Sequence, residues 1–462
     1  MALKPELINE LKKIVGNEWV VTERELIERY LYDETSEEVR PKAAEEVVVV
    51  KPRTTEEVSE VLKLANREGI PVYPRGGGTG LVGGAVPTKP GIVMSLERMD
   101  DIFIDTENLV AEVGAGVTLL KLIEEAERVG LFFPPHPGDE GAFVGGMIAT
   151  NAGGARAVKT GVMRNYVLGI EVVLPAGQIL RLGGKVIKNN MGYNLMHLII
   201  GSEGTLGVIT KAYIRLYPKY GASATMVIPF NSRLDAINTS YEIMRSSVTP
   251  LLLEYAEKDI LEKSADYLGL KWPAEEGRAH LIVTISEALE DSVYGELEVI
   301  NSIAEKHNAL EPVVATRDDE QAEILKIRSE IYSALKKDMV DALDVSLPLG
   351  KIYEFMEGID ELERKYNTWV PICGHVGDGN LHPHILRKEG WGADMYEKLK
   401  DDIYDLTMKL GGSITGEHGV GATRTKYLLK YLSREHIQLM KELKKLFDPN
   451  NILNPGKVLP EV

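Results

Sequence analysis

The alternation of apolar and polar positions predicts a strand, a helix and a second strand near the start of the chain. Residues 45–50 contain the apolar, β-branched run Val47–Val50, which is typical of a buried strand. Thr54 then offers a helix N-cap, acidic residues follow it, and the helix is expected to end at Glu68, before Gly69. Residues 70–73 are again strand-like. This order predicts a βαβ unit with a ligand-binding loop at the carboxyl end of its second strand.

Later hydrophobic patterns predict a second layer of longer helices and short strands. The first part of the chain should also contain two amphipathic helices at 3–31 around Gly16, strands at 92–96, 109–113 and 165–175, and a helix from Thr118 to Arg128. Beyond a boundary expected at 218–225, strands are predicted at 226–228, 281–285 and 370–373, and helices at 235–245, 291–307, 319–337, 352–366 and 393–410. This pattern is typical of an α+β fold, with helices packed on an antiparallel sheet.

Residues 73–87 form a glycine-rich loop directly after the second predicted strand. Six of these fifteen residues are Gly, and successive backbone N–H groups in such a loop can surround an anion. Residues 78–83 match G-x-G-x-x-G, but Pro87, Pro90 and Gly91 prevent the helix that a Rossmann fingerprint must open. A P-loop would need a Gly-Lys-Ser/Thr that does not follow. We predict that the loop holds a diphosphate; the alternative is a flexible surface loop.

Further segments are rich in Gly and small polar residues. Residues 141–154 could press their backbone against a flat ligand, although a tightly packed turn between elements would have the same composition. Residues 189–195 and 200–210 are loops of similar composition.

A predicted hairpin brings two histidines together. Residues 377–380, Gly-Asp-Gly-Asn, are a strong turn signal between apolar strands. Closing that hairpin would pair Val376 with Leu381, and therefore His375 with His382. Directly opposed side chains on one face have Cβ atoms about 5 Å apart, a spacing that suits two imidazoles on one metal ion.

Other residues could complete such a metal site. His384 shares the face of His382 because side chains alternate with a period of two. Glu417, in the glycine-rich segment 411–421, offers the carboxylate that a divalent transition metal would accept as a third ligand. A single histidine in a strand is more often a core residue whose ring nitrogens are hydrogen-bonded. The presence of several histidines close together is what favours a metal-binding site.

Composition limits the classes of function. A chain of 462 residues exceeds what one core usually supports, so two or three domains are expected. The net charge of −17 argues against nucleic acid or an anionic membrane as a partner. Cys373 is the only cysteine, which excludes internal disulfides and a cysteine-ligated iron–sulfur cluster carried by this chain alone.

The start of the sequence shows no signal-peptide pattern, and no apolar run is long enough for a membrane span. A cytoplasmic location is therefore expected. Gln occurs only at 178, 321 and 438 while Glu and Lys abound, which leans toward a thermophilic source.

Residues 74–80, Pro-Arg-Gly-Gly-Gly-Thr-Gly, resemble the FAD pyrophosphate loop of flavoproteins related to vanillyl-alcohol oxidase and p-cresol methylhydroxylase. The chain is more narrowly similar to the branch that contains glycolate oxidase, D-lactate dehydrogenase and D-2-hydroxyglutarate dehydrogenase. Residues 200–210 resemble the family's G-S-E-G-T-L-G-I-I-T, and residues 447–457 its closing motif. The resemblance extends from about Val47 to Val458.

This resemblance implies a two-part FAD-binding domain of the p-cresol methylhydroxylase type and an α+β substrate domain with an antiparallel sheet. The expected division is residues 1–220 for FAD binding, 221–410 for the substrate domain with the metal site, and 411–462 for a C-terminal segment that returns to the FAD domain.

The resemblance also implies roles for single residues. His375, His382 and Glu417 match the family's ligands for a divalent metal (Zn, Fe or Mn), and His418 matches its catalytic base. Arg328 resembles the arginine that holds the substrate carboxylate, although a cation on a helix surface would look the same. The expected FAD contacts are Pro74, Arg75, Gly76, Gly77, Gly78, Thr79, Gly80, Gly145, Gly146, Thr150, Asn151, Gly153, Gly154, Gly204, Val208, Ile209 and Asn454.

The implied reaction is the oxidation of a small D-2-hydroxy acid. His418 would take the hydroxyl proton while the α-hydrogen leaves as hydride to flavin N5, and the electrons would pass to an acceptor other than NAD. Ala342 stands where the hydroxyglutarate enzymes have Lys, so lactate or glycolate is favoured. His136, Thr160, Asn165 and His384 differ from the residues that the family usually has at these positions. The resemblance therefore does not predict which contacts these four residues make with the flavin or the substrate.

Two other functions share these motifs. Alkylglycerone-phosphate synthase has the same fold and a histidine-rich site but uses FAD without net redox turnover, and its chains are usually longer. The chain could also be the catalytic subunit of a larger complex with an iron–sulfur or electron-transfer-flavoprotein partner, and a homodimer is a further possibility. Bleaching of the flavin by a 2-hydroxy acid, and co-purification of a partner, would distinguish these functions.

Overall fold

The computed structural model describes residues 4–460 of the chain. Helix α1 Pro5–Val15 precedes a sheet with the strand order β1–β2–β4–β3, and helix α2 Arg24–Ile27 lies between its first two strands. Its strands are β1 Val20–Val21, β2 Val47–Val50, β3 Val72–Arg75 and β4 Gly91–Ser95. Strands β2 and β3 both run parallel to β4, and helix α3 Thr55–Glu68 connects β2 to β3. The βαβ unit that the hydrophobic pattern predicts is therefore present.

The ends of α3 follow from local chemistry. The hydroxyl of Thr54 accepts a hydrogen bond from the Glu57 backbone N–H at 3.2 Å, which caps the first turn. Gly69 adopts a φ of +66°, a left-handed conformation that glycine tolerates, and the helix ends there. The chain can then turn directly into β3, which leads to the glycine-rich loop.

A second sheet follows, with antiparallel strands in the order β5–β6–β10–β8–β9. Its strands are β5 Ile102–Asp105, β6 Val110–Gly114, β8 Val167–Val173, β9 Ile179–Gly183 and β10 Val208–Arg215. The short strands β7 Leu131–Phe132 and β11 Tyr217–Pro218 pair with each other. The helices of this region are α4 Leu119–Arg128, α5 Val144–Thr150, α6 Ala157–Thr160 and α7 Met196–Ile199.

A larger antiparallel sheet forms the next part of the chain, with the order β15–β12–β14–β13–β18–β19–β16 and β17 beside β19. Its strands are β12 Ala222–Phe230, β13 Leu252–Glu257, β14 Ala279–Glu287, β15 Val313–Ala315, β16 Met339–Ala342, β17 Val345–Ser346, β18 Ile372–His375 and β19 Asn380–Leu386. The accompanying helices are α8 Arg233–Arg245, α9 Lys258–Leu268, α10 Glu290–Lys306, α11 Asp318–Ser329, α12 Ile331–Leu335, α13 Ile352–Tyr366 and α14 Ala393–Lys409. The predicted α+β fold with helices on an antiparallel sheet is confirmed.

Some predicted elements differ from the observed ones. Residues 3–31 contain the small strand β1 between α1 and α2, and residue 3 lies outside the described residues. The segment 141–154 is not all loop, because it includes α5; a Cβ at Gly145 would lie 2.7 Å from that of Ala115, so glycine lets this helix pack closely. The single helix expected at 319–337 is two helices, α11 and α12. Tyr332, in α12, donates a hydrogen bond to the Glu34 carbonyl, and such tertiary contacts outweigh helix propensity.

The C-terminal segment returns to the first sheet. Helices α15 Thr425–Tyr431 and α16 Arg434–Phe447 lead to a stretch in which Leu453 forms a parallel bridge with Val72 of β3. The Asn454 N–H donates to the Val72 carbonyl at 2.8 Å. Asn454 therefore lies beside the strand that leads into the glycine-rich loop. Among residues 4–460, no helix has the length and apolar character needed to cross a membrane.

Candidate active site

A cavity of about 1140 Å³ is lined by residues from the first sheets, the large sheet and the C-terminal segment. All five residues predicted for catalysis and metal binding line it, namely Arg328, His375, His382, Glu417 and His418. The predicted FAD contacts on its wall are Pro74, Arg75, Gly76, Gly77, Gly78, Thr79, Gly80, Gly145, Gly146, Thr150, Gly153, Gly204, Val208, Ile209 and Asn454. Asn151 and Gly154 are not part of this wall. Segments that are far apart in the sequence therefore meet around one space.

Glycine is required where two of these segments touch. A Cβ at Gly77 would lie 2.5 Å from the carbonyl oxygen of Gly141, which no real side chain could do without displacing backbone. Asn454 closes the same region, because its Nδ2 donates to the carbonyls of Gly84 at 3.2 Å and Glu203 at 2.8 Å. Its Oδ1 is buried and has no hydrogen-bond partner among the described residues. A backbone-lined cradle with an unused acceptor suits a large ligand.

The side chains of two predicted FAD contacts, Arg75 and Asn151, form hydrogen bonds within the protein. The guanidinium of Arg75 donates to the carbonyls of Arg29 at 3.1 Å and Tyr32 at 2.9 Å, so it fixes the N-terminal segment under the loop. Asn151 ends α5 with a φ of +52°, and its Oδ1 accepts from the Arg164 N–H at 3.0 Å. Arg75 can contribute its backbone to the cavity, whereas Asn151 organises the turn after α5.

The histidine hairpin forms, but with a different register from the predicted one. His375 is paired with Asn380, and His382 with Cys373, so the expected pairing of His375 with His382 is wrong. The observed loop, residues 376–379, is as long as the predicted one but begins one residue earlier, and Gly379 within it takes a φ of +86°. The shift is two residues, which keeps both imidazoles on one face. Their ring centroids are 5.4 Å apart.

His375, His382 and Glu417 converge on one point. His375 Nε2 lies 3.2 Å and His382 Nε2 lies 3.4 Å from Glu417 Oε1. Burial by itself would lower the pKa of His375, but the carboxylates of Glu254 and Glu417 outweigh it and raise that pKa well above its usual value. Burial would raise the pKa of Glu417, and the two histidines instead keep it well below its usual value. Two imidazole nitrogens and a carboxylate oxygen form a donor set that fits a divalent transition metal.

His418 stands beside this group. Its ring stacks on that of His382, with centroids 5.0 Å apart. Burial lowers the pKa of His418 to about 4, although the nearby Asp344 acts in the opposite direction. Its Nδ1 lies 3.7 Å from Asp344 Oδ2, and its Nε2 lies 4.0 Å from Glu417 Oε1. His418 is therefore a neutral imidazole at pH 7, able to accept a proton next to the metal-type ligands.

Asp344 holds the loop that carries Glu417 and His418. It is fully buried, and its carboxylate accepts hydrogen bonds from consecutive backbone N–H groups of residues 416–418. Arg424 lies 3.2 Å from Asp344 Oδ2 and balances its charge. Burial would raise the pKa of Asp344, but His418 and Arg424 outweigh that effect and keep it low. The segment after β16 thus determines where the loop after α14 lies.

Arg328 lies at the end of α11 and lines the same cavity. Its Nη2 forms an ion pair with Glu254 Oε2 at 2.7 Å, and neither its buried Nε nor its Nη2 has a hydrogen-bond partner within residues 4–460. His384 is also buried on this wall; burial lowers its pKa to about 3, and its Nδ1 is 3.2 Å from the Pro371 carbonyl. The alternative interpretation of Arg328, a cation on a helix surface, does not match its burial.

The sequence interpretation assigned no role to two buried carboxylates of this site, Asp344 and Glu254. Glu254 interrupts the apolar run Leu-Leu-Leu-Glu-Tyr-Ala at residues 251–256, and Asp344 lies in the run Ala-Leu-Asp-Val-Ser-Leu at 342–347. A charged residue within an apolar strand must be paired when buried. That signal was available in the sequence, but the partners are more than 35 residues away along the chain and only the fold identifies them.

The comparison with known families agrees with this geometry. Residues 47–183 match the FAD binding domain, and residues 220–458 match the C-terminal domain of FAD linked oxidases. The chain belongs to the FAD-linked oxidase family. The predicted resemblance is confirmed, and FAD is the cofactor that these domains bind. The protein is accordingly an FAD-dependent dehydrogenase or oxidase.

This FAD-linked oxidase is similar to named proteins in both sequence and structure. It is 48% identical to a D-lactate dehydrogenase of Archaeoglobus fulgidus over 93% of this chain and 95% of the relative. It is 37% identical to the glycolate oxidase subunit GlcD of Bacillus subtilis, over 89% and 88%. A structure of p-cresol methylhydroxylase has a TM-score of 0.77 at 18% identity, covering 98% of this chain and 96% of that one. An alkyldihydroxyacetonephosphate synthase has a TM-score of 0.77 at 20% identity, over 99% and 86%. These structures confirm the predicted fold type.

Replacing Gly77 by Ala is expected to lower the affinity for FAD. The new methyl group would collide with the Gly141 carbonyl and push two walls of the cavity apart. We expect at least a tenfold increase in the Kd for FAD, about 1.4 kcal/mol, measured by titrating apoprotein and following flavin fluorescence. Gly184→Ala is the matched control, because a Cβ there meets nothing within 4 Å. Equal FAD affinity in the two variants would contradict the role of the Gly77–Gly141 contact.

Proposed function

We propose that this FAD-linked oxidase converts a small D-2-hydroxy acid of the lactate or glycolate type to the 2-oxo acid, with the help of a divalent metal. The observation that carries the proposal is the convergence of His375, His382, Glu417, His418 and Arg328 on one wall of the cavity that the glycine-rich loops also line. The relatives named D-lactate dehydrogenase and glycolate oxidase subunit GlcD support the same class of substrate.

The metal would be held by His375, His382 and Glu417. Nitrogen and carboxylate donors of this kind suit Zn²⁺, Fe²⁺ or Mn²⁺. When bound, such a metal would supply a Lewis acid for the substrate hydroxyl. The two imidazoles point their Nε2 atoms at the same carboxylate oxygen, so the three ligands need little rearrangement to share one ion.

His418 would accept the hydroxyl proton. Its Nδ1 lies 3.7 Å from the carboxylate of Asp344, whose negative charge favours the tautomer with the proton on Nδ1 and the lone pair on Nε2. The Nε2 atom is the one nearer to Glu417 and the proposed metal ligands. A buried, neutral imidazole can take up a proton at pH 7 without first losing one.

Arg328 would bind the substrate carboxylate. A guanidinium can bind a carboxylate through two parallel N–H bonds, and the buried Nε of Arg328 is available for one of them. Ala342 lines the cavity and offers only a methyl group, so a distal carboxylate would gain nothing at that position. This favours lactate or glycolate over D-2-hydroxyglutarate.

FAD would be held by the glycine-rich loop after β3, the segment around α5, residues 204–209 and Asn454. When bound, it would supply the acceptor for the two electrons of the substrate C–H bond. The acceptor that reoxidises it would be something other than NAD.

We keep as proposals a cytoplasmic location, the division into domains at 220 and 410, and either a homodimer or a partner subunit with its own redox centre.

The proposal is tested by anaerobic titration of the purified yellow protein. We expect D-lactate or glycolate to bleach the flavin, with L-lactate and D-2-hydroxyglutarate less effective. Removing the metal with a chelator should slow bleaching by about 100-fold or more, because Lewis-acid assistance is worth several kcal/mol. Adding back Zn²⁺, Fe²⁺ or Mn²⁺ should restore the rate, and the flavin spectrum serves as the control for FAD retention.

Two results would count against the proposal. If none of the four acids bleaches the flavin of metal-loaded protein, the dehydrogenase function fails and a transferase reaction without net redox turnover gains support. If bleaching is fast and indifferent to the chelator, the metal has no part in the reaction. Co-purification of a second subunit would favour the larger electron-transfer complex.

A further inference from the structure

Glu254 is a buried carboxylate to which the reaction described above gives no task. It lies in β13, and its side chain is 1% exposed. A carboxylate left unpaired at such a buried position would strongly destabilise the fold. Its partners therefore explain why the strand contains a charge where an apolar residue would otherwise pack.

Both partners of Glu254 belong to the candidate active site. Its Oε1 lies 2.6 Å from His375 Nδ1, and its Oε2 lies 2.7 Å from Arg328 Nη2. The strand register produces the first contact, because β13 pairs with β18 at Tyr255 and Gly374, and the next pair in that register is Glu254 with His375. Helix α11 delivers Arg328 to the other oxygen.

We propose that Glu254 is a positioning residue that holds a metal ligand and the substrate-binding arginine at the same time. In the neutral form that a metal ligand needs, one oxygen would accept the Nδ1–H of His375 and leave the lone pair on Nε2, the atom that points at Glu417. The other oxygen orients the guanidinium of Arg328 on the cavity wall. This inference rests on the proposed function, since it takes His375 as a metal ligand and Arg328 as a carboxylate-binding group.

A purely structural role would not need this arrangement. A buried ion pair seldom stabilises a fold more than apolar residues of similar size would, so burial alone does not account for a carboxylate here. The two oxygens instead divide their contacts between groups from different elements that line one cavity. A single side chain thus links the two proposed binding functions, and changing it should disturb both.

The test compares Glu254→Gln with Glu257→Gln in FAD-loaded protein. Glu257 ends the same strand, its side chain is 12% exposed, and it pairs with Arg233 at 3.2 Å, but it is not part of the cavity wall. The first measurement is the chelator concentration that removes half of the bound Zn²⁺. The second is the Kd of oxalate for metal-free protein, read from the flavin spectrum, which isolates binding by Arg328 from binding by the metal.

We expect Glu254→Gln to release Zn²⁺ at a chelator concentration about 10–100-fold lower than wild type, the usual effect of losing a partner of a metal-bound histidine. We also expect its Kd for oxalate to rise about tenfold, because the guanidinium of Arg328 is no longer held in its binding orientation, and this loss must exceed the gain from removing a nearby negative charge. Glu257→Gln should match wild type in both measurements. If Glu254→Gln retains wild-type behaviour in either measurement, the proposal that one carboxylate serves both groups is overturned.

Glu254→Asp covers the case in which the glutamine variant does not bind FAD. It keeps the charge but is one methylene shorter, so it should release Zn²⁺ at a concentration between those of wild type and a His375→Ala variant; release at the wild-type concentration would overturn the proposal. The wild-type protein tests the proposed function separately. If it binds Zn²⁺ and oxalate but no 2-hydroxy acid bleaches it, the proposed reaction fails while the role of Glu254 is still decided by the variants.

Discussion

Replacing His418 by Gln is expected to slow the reduction of FAD by D-lactate roughly 10²–10⁴-fold, the usual contribution of a positioned general base. Glutamine has a similar reach and polarity but cannot accept a proton at pH 7. The imidazole of His418 is buried beside the proposed metal ligands, and its pKa of about 4 leaves it neutral and ready to accept. The rate is measured by stopped-flow absorbance under anaerobic conditions with saturating substrate.

FAD and metal content must be compared in the same preparation, because His418 follows the proposed ligand Glu417 directly in the sequence. We expect both contents to stay at the wild-type level. His436→Gln is the matched control, since that histidine is exposed on α16 and does not line the cavity. A His418 variant that reduces its flavin at the rate of the His436 variant would remove His418 from the proton transfer.

Local sequence signals predicted the parts of the site that depend on backbone shape. The glycine-rich loop follows β3, as the hydrophobic pattern and the Pro and Gly positions indicate, because those residues restrict the backbone wherever they occur. The packing of Gly77 against Gly141 shows why two glycine-rich segments far apart in the sequence are both needed. The family resemblance then identified the ligand that these segments hold.

The histidine face was predicted for the correct reason, although the register was not. Alternation along a strand fixes which side chains share a face, and a shift of two residues leaves that face unchanged. The observed loop spans residues 376–379 instead of 377–380, and the four-residue turn signal alone does not fix the position at which the first strand ends. The prediction that His375 and His382 lie on the same face is therefore correct, although the predicted pairing of the two residues is wrong.

Contacts between distant strands were beyond the reach of the sequence. Glu254 meets His375 across 121 residues, and Asp344 meets His418 across 74. Each carboxylate shows only as a charge within an apolar run, which indicates a buried partner without identifying it. Helix α12 is a similar case, because its separation from α11 accompanies contacts with Glu34 near the start of the chain. Tertiary structure determines these features, and local propensity does not reveal them.

Replacing Asp344 by Asn is expected to disable the metal site and the proposed base together. The carboxylate accepts hydrogen bonds from the backbone N–H groups of residues 416–418, and it also lies within 4 Å of a ring nitrogen of both His382 and His418. An amide would turn N–H groups toward those donors and would leave Arg424 buried without its counter-charge. Breaking a buried pair in this way costs about 3–5 kcal/mol.

That cost should appear locally, because Asp344 holds one loop in place. We expect faster amide hydrogen exchange over residues 411–424, loss of Zn²⁺ at chelator concentrations that leave wild type loaded, and no detectable bleaching by D-lactate. Asp341→Asn is the matched control, since Asp341 lies on the same stretch of chain and pairs with Lys400 at 2.7 Å, and among residues 4–460 its carboxylate accepts no hydrogen bond from residues 416–418. Wild-type exchange and metal retention in Asp344→Asn would show that the loop is held by other contacts, such as those of the Glu203 carboxylate with the N–H groups of Val420 and Gly421.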